Sequence, residues 1–240
     1  MADIKKITDY FAKDIEKVNE IIINFASGKS PLIKEISSHL VNSGGKRIRP
    51  LLLMIASNLF NRNNSHNSLN NNVYYLASAI EMIHTATLLH DDVVDESTTR
   101  RGHNTANELW GNAPSVLVGD FLYSRAFEIM VEPNSMEIMR VLSKATNQIS
   151  EGEVLQLLNI RNAKVSRSEY FEVIEQKTAC LFKAACQIAG ILSESSKELI
   201  TALGSFGMHL GNAFQIIDDT LDYESDSSII GKEIGDDLSE

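Results

Sequence analysis

Cysteine, proline and tryptophan are scarce in this 240-residue chain, and positive charge is outnumbered. The two cysteines, Cys180 and Cys186, lie on opposed faces of one helical stretch, poorly placed for a disulfide or a metal. They read as small buried hydrophobes in a reducing compartment. Lysine and arginine total 22 against 32 acidic residues, for a formal net charge of −10. Broad nucleic-acid binding, which needs a basic face, is thereby excluded. An anionic ligand is not, provided lysine, arginine or a metal inverts the charge locally. No apolar run approaches the roughly 20 residues that span a bilayer. The amphipathic start, MADIKKITDYFAKDIEKVNEIIINF, has no signal-peptide core. The chain therefore reads as cytoplasmic, touching a membrane at most peripherally. No run alternates between hairpin turns, so no strand is expected.

What is present is helical periodicity and enough apolar residue, 43%, for a substantial core in one or two domains. Ile4, Ile7, Phe11, Ile15, Val18 and Ile22 recur at steps of three and four, which predicts one amphipathic first helix. SGGKRIRPLLLMIASNLF has loop glycines, then Pro50 near a helix start, then a run apolar on all sides that suggests burial. Residues 61–72 hold seven asparagines in twelve positions and read as a surface loop. A long helix follows through VYYLASAIEMIHTATLLHDDVVDES, and further helices are expected near 115–131, 135–158, 168–192 and 196–222.

The long helix ends in an acidic cluster, where the helix dipole disfavours negative charge. Asp91, Asp92 and Asp95 form DDxxD, and Asp218, Asp219 and Asp222 form it again. Positions four apart share a helix face, so Asp91 pairs with Asp95 and Asp218 with Asp222. Bare, such carboxylates repel and raise one another's pKa. A hard cation resolves this, and Mg²⁺ takes carboxylate, water and phosphate oxygens. No histidine or cysteine stands at the spacing that zinc would need. Arg100 and Arg101 follow, able either to pair with the carboxylates or to clamp phosphate in bidentate fashion. A second basic group, Lys46, Arg47 and Arg49, follows Gly44-Gly45. Two acidic and two basic groups imply two phosphorylated ligands, one held through metal and one directly.

Four further positions are suggestive. His84 lies seven residues before Asp91 on the same face, where a satisfied core histidine is the alternative. Lys177-Thr178 interrupts an apolar helical stretch, where an unpartnered lysine is costly. Gln215 lies three residues before Asp218.

GGKRIRP, HTATLLHDDVVDESTTRRG, GEVLQL, QKTACLF and FQIIDDTLDYESD occur in the order found in trans-polyprenyl diphosphate synthases, which the chain resembles from about residue 25 onward. The long-chain octaprenyl type is the nearest match. The resemblance implies an all-α isoprenoid synthase fold, with helices around a deep cavity, and a homodimer. It implies a single synthase domain over 1–240, with a GKxTLP segment and further helices usual beyond the point where this sequence stops. It implies three Mg²⁺ ions held by Asp91, Asp95 and Asp218 with Asp92, Asp219 and Asp222. An allylic diphosphate, expected to be farnesyl diphosphate, would ionise and be attacked by isopentenyl diphosphate. The product would be an all-trans chain of about C40 for quinone side chains, with possible peripheral membrane contact through that product. By motif match, Lys46, Arg49, His84 and Arg101 bind isopentenyl diphosphate, while Arg100, Lys177, Thr178, Gln215 and Lys232 lie against the allylic substrate. In short-chain relatives a bulky residue four or five positions before the first aspartate floors the product pocket. Here Thr87 and Ala86 are small, which opens that floor unless they merely pack closely, and Ile83, Met82 and Ile80 would line the deeper tunnel. An HD-type phosphohydrolase around His90-Asp91 would leave the second DDxxD unexplained, and a terpene cyclase would carry a different second motif. A non-catalytic subunit of a heteromeric synthase is the remaining alternative.

Overall fold

Short polar side chains set where the helices begin. Asn70 accepts from the Asn72 N–H, Ser135 from that of Ile138, and Ser166 with Glu169 closes a reciprocal capping box. Pro31 starts its helix at the position where a missing N–H costs nothing. The structure, a computed structural model, describes residues 4–60, 69–160, 162 and 164–224. Chain order runs α1 (Ile4–Tyr10), α2 (Ala12–Phe25), α3 (Pro31–Asn42), α4 (Ile48–Phe60), α5 (Asn71–Val94), α6 (Ala106–Trp110), α7 (Asn112–Val131), α8 (Met136–Asn159), α9 (Arg167–Ile174), α10 (Cys180–Leu192) and α11 (Lys197–Glu224). The fold is all-α, as the periodicity predicts.

Helix α5 is the axis of the core. Most of its side chains from Val73 to Leu89 are buried, and it packs against α2, α4 and α7. α10 forms the second buried helix, against α4, α8 and α11. There α11 comes unusually close: a Cβ on Gly207 would lie 2.6 Å from the Phe182 carbonyl oxygen. Of the described residues, no helix is long and apolar enough to cross a membrane.

Three local departures from the expected pattern occur. The first amphipathic stretch is two helices, broken at Phe11, whose φ and ψ of −94° and 9° leave the helical basin. Its apolar face still reaches the core through Phe11, Val18 and Ile22. A two-residue antiparallel ribbon, β1 (Thr99–Arg100) and β2 (His103–Asn104), appears where no strand is expected. It is too short to alternate; positive φ at Arg101 and Gly102 makes the tight turn. Finally, the helix expected over 168–192 is divided by a π turn, Glu175–Ala179, between α9 and α10. Of the loop expected at 61–72, residues 61–68 lie outside the described set, and the helix begins already at Asn71.

One polar contact sits inside this apolar frame. Arg47 belongs to the basic group that sequence reading gave to ligands, yet it is buried and donates to Glu81 Oε1 at 2.9 Å. It donates also to Asn19 Oδ1 at 3.1 Å and the Val41 carbonyl at 3.3 Å, tying α2 and α3 to α5. Glu81→Ala, which strands the Arg47 charge, is expected to lower unfolding free energy by about 3–5 kcal/mol. Urea denaturation should show a much smaller loss for Arg47→Met combined with Glu81→Met, because no charge is then left unpaired.

Candidate active site

The C-terminal turn of α5 buries two adjacent carboxylates, Asp91 and Asp92, at 8% and 2% exposure. Burial raises the Asp91 pKa, Lys177 opposes this, and Asp95 adds to it. The chain answers the charge with its own cations. Arg100 Nε, delivered by the β1–β2 ribbon, donates to Asp92 Oδ1 at 2.6 Å. Lys177 Nζ, delivered by the π turn, stands 3.7 Å from Asp91 Oδ2. Asp95 caps the helix, its N–H donating to the Asp91 carbonyl at 2.8 Å.

Lys177 is shared. It pairs with Glu153 Oε2 at 2.9 Å and donates to Gln156 Oε1 at 3.0 Å, both on α8. Burial works against its charge, but Asp91 and Glu153 outweigh it and raise its pKa. Burial, together with the Asp91 charge, pushes Glu153 up to about 7 despite Lys177.

In the second acidic cluster Asp219 is held by neutral donors. Thr178 donates to Gln215 Oε1 at 2.7 Å, and Gln215 Nε2 donates to Asp219 Oδ1 at 2.7 Å. The Tyr170 hydroxyl donates to Asp219 Oδ2 at 2.5 Å. Asp218 is exposed on the last turns of α11. The Asp222 side chain and the whole of Lys232 lie outside the described residues.

Basic side chains gather around His84. Its pKa is driven well below 6.5, first by burial and then by Arg49, Arg101 and Arg100. Arg49 lies 4.8 Å over the Phe182 ring, and burial lowers its pKa to about 10. Arg101 donates to the Gly44 carbonyl. A Cβ on Gly45, at φ +147°, would stand 2.7 Å from the Arg101 guanidinium, so the glycine pair lets the two segments meet. Lys46 stays exposed at the loop. Thus Arg49, Arg101 and Arg100 all act on His84, although sequence reading places Arg100 with the other ligand. Ala86 and Ile83 are fully buried in the core, as are Ile80 and Met82, whereas Thr87 is half-buried and donates to the His84 carbonyl at 2.8 Å.

Glu153, Gln156 and Tyr170 went unassigned in the sequence. The first two are polar residues three apart inside GEVLQL, a usable signal; nothing local marked Tyr170. Among the described residues, no three histidine, cysteine or acidic side chains converge to hold a metal unaided. Separate carboxylate sets fit an ion that takes one or two of them and completes its shell from phosphate and water, the habit of Mg²⁺.

Residues 30–240 match the polyprenyl synthetase family. The chain belongs to that family. It is 46% identical over 239 residues to octaprenyl diphosphate synthase of Escherichia coli (strain K12), covering 99% of this chain and 72% of that one. It is 44% identical over 229 residues to the all-trans-nonaprenyl-diphosphate synthase (geranyl-diphosphate specific) of Rhodobacter capsulatus, covering 95% and 69%. A solved polyprenyl synthase from Caulobacter crescentus CB15, complexed with calcium and isoprenyl diphosphate, superposes with a TM-score of 0.91 at 42% identity, over 98% and 70% of the two chains.

In this polyprenyl synthetase the neutral His84 links stability to pH. Its folded pKa is depressed, so between 6.5 and that lower value the unfolded chain binds a proton that the folded chain refuses. The stability is complete above pH 6.5 and drains as pH falls. Urea midpoints measured at pH 7.5 and 5.5 should therefore converge in His84→Gln relative to the unsubstituted chain.

Proposed function

We propose that this chain is a trans-polyprenyl diphosphate synthase of the octaprenyl type, which condenses isopentenyl diphosphate with farnesyl diphosphate in the cytoplasm to give an all-trans product of about C40 for quinone side chains. The observation that carries this reading is the meeting, at one end of α5, of buried carboxylates with a separate nest of arginines around a neutral histidine. One set suits a diphosphate held through metal, the other a diphosphate held directly.

On this reading Asp91, Asp95 and Asp218, with Asp92, Asp219 and Asp222, hold three Mg²⁺ ions. Bound there, the ions would draw off the negative charge that gathers on the departing diphosphate. Arg100, Lys177 and Lys232 grip the same diphosphate, and Arg100 would have to leave Asp92 to do so. Thr178 and Gln215 lie beside the allylic carbons. Their hydroxyl and amide dipoles are already fixed by the hydrogen bonds to one another and to Asp219. Lys46, Arg49, His84 and Arg101 hold isopentenyl diphosphate. His84, being neutral, donates one N–H without adding a charge to the crowded arginines. Breaking the allylic C–O bond releases diphosphate and gives a carbocation, the isopentenyl double bond attacks it, and transfer of a proton to the released diphosphate leaves a chain longer by five carbons. Small residues at Ala86 and Thr87 leave the growing tail unblocked.

A second copy of the chain completes the reading. Val154, Leu157 and Leu158, adjacent on α8, stand 57%, 54% and 73% exposed. Apolar side chains at such spacing suit an isologous dimer interface.

Elongation of farnesyl diphosphate by the purified chain should require Mg²⁺ and end near C40 on reverse-phase chromatography. Asp91→Ala should reduce kcat by about 10²–10³-fold; turnover untouched by that change would sink the assignment. Light scattering should report a dimer that Leu157→Arg converts to monomer.

A further inference from the structure

The GEVLQL stretch of α8 has no part in the chemistry described so far, yet it touches the π turn at three points. Glu153 Oε2 and Gln156 Oε1 both lie within 3.0 Å of Lys177 Nζ. The other Glu153 oxygen, Oε1, is buried and receives no hydrogen bond among the described residues, so Lys177 is the partner that holds this carboxylate. Gly152 lies against the backbone: a Cβ there would stand 2.8 Å from the Lys177 nitrogen and 2.9 Å from the Gln176 Cβ. The first of these is main chain and cannot swing aside.

We infer that Gly152, Glu153 and Gln156 form a seat for Lys177, with Gly152 admitting its backbone and the two polar side chains keeping its ammonium at ion-pair range from Asp91, short of a direct hydrogen bond. The inference rests on the reading of Lys177 as a ligand of the allylic diphosphate. Lys177 Nζ is 3.7 Å from Asp91 Oδ2 even with both α8 acceptors in place. Without them, a half-buried ammonium would turn to the carboxylates left beside it, Asp91 first and Asp95 after it, and closing on Asp91 would compete with any cation bound there. Glu153 and Gln156 are therefore positioning residues. They touch no reacting atom, and their effect runs through Lys177.

Two measurements on the full chain test this. In the absence of substrate, labelling with an amine-acylating reagent, read by mass spectrometry against the exposed lysines, should show Lys177 protected. Protection should change severalfold in Glu153→Ala and in Gln156→Leu. In steady-state elongation, Glu153→Ala should raise the KM for farnesyl diphosphate about tenfold, the worth of one charge-assisted hydrogen bond. The KM for isopentenyl diphosphate should stay put, and Glu153→Gln should recover most of the loss. Glu153→Ala combined with Lys177→Ala should be no worse than Lys177→Ala alone. Unchanged Lys177 labelling in both α8 variants, or additive effects in the double variant, would overturn the seat. If the unsubstituted chain elongates nothing, the functional reading fails, while the labelling still decides how Lys177 is held. Should Glu153→Ala fail to fold, Gln156→Leu carries the same test.

Discussion

Two neighbouring carboxylates buried at the negative end of a helix dictate the form of everything around them. Asp91 and Asp92 cannot stay charged there without cations, and α5 itself supplies none in its last turn. The cations come from elsewhere, and each arrives on an irregular segment. The two-residue ribbon turns the chain back so that Arg100 reaches Asp92, and the π turn brings Lys177 toward Asp91. Two of the departures from regular helix thus each set a cation against a buried carboxylate.

The two sides of the site are held by different physics. On α5 the contacts are ionic and partly buried, so removing one partner leaves a charge stranded in poor solvent. On α11 they are neutral hydrogen bonds in series, from Thr178 through Gln215 to Asp219, with Tyr170 closing the far end. Such a series fixes dipole directions without adding charge. Between the two, the Glu81 charge offsets the mutual repulsion of the arginines, and a histidine that remains uncharged adds nothing to it.

Sequence periodicity carried the helical fold, because apolar steps of three and four report burial directly. Repetition of DDxxD carried the acidic half of the site, since like charge gathered twice has few explanations besides a cation. Arg47 misled, because a residue's type shows charge but not whether a buried acid such as Glu81, 34 positions on, lies opposite. The ribbon and the π turn stayed hidden, being too short to impose a period of their own. Glu153 and Gln156 were legible as polar residues in an apolar motif, but their partner, across another helix, was not. Tyr170 left no local trace, because its contact with Asp219 is made only by the packing of α9 on α11.

A π turn is what a helix makes of one extra residue. In Glu175–Ala179 each turn closes five residues on instead of four, so the surplus is absorbed where it arises and the flanking helices stay intact. The two halves of the stretch pack on different sets of helices: α9 on α8 and α11, α10 on α4, α8 and α11. Lys177 and Thr178 sit on the seam between them, consecutive in the chain yet turned to opposite walls, one toward α8 and the other toward α11. Removing a single residue would heal the helix and spoil the seam, so this segment is far less tolerant of a change in length than of a change in composition.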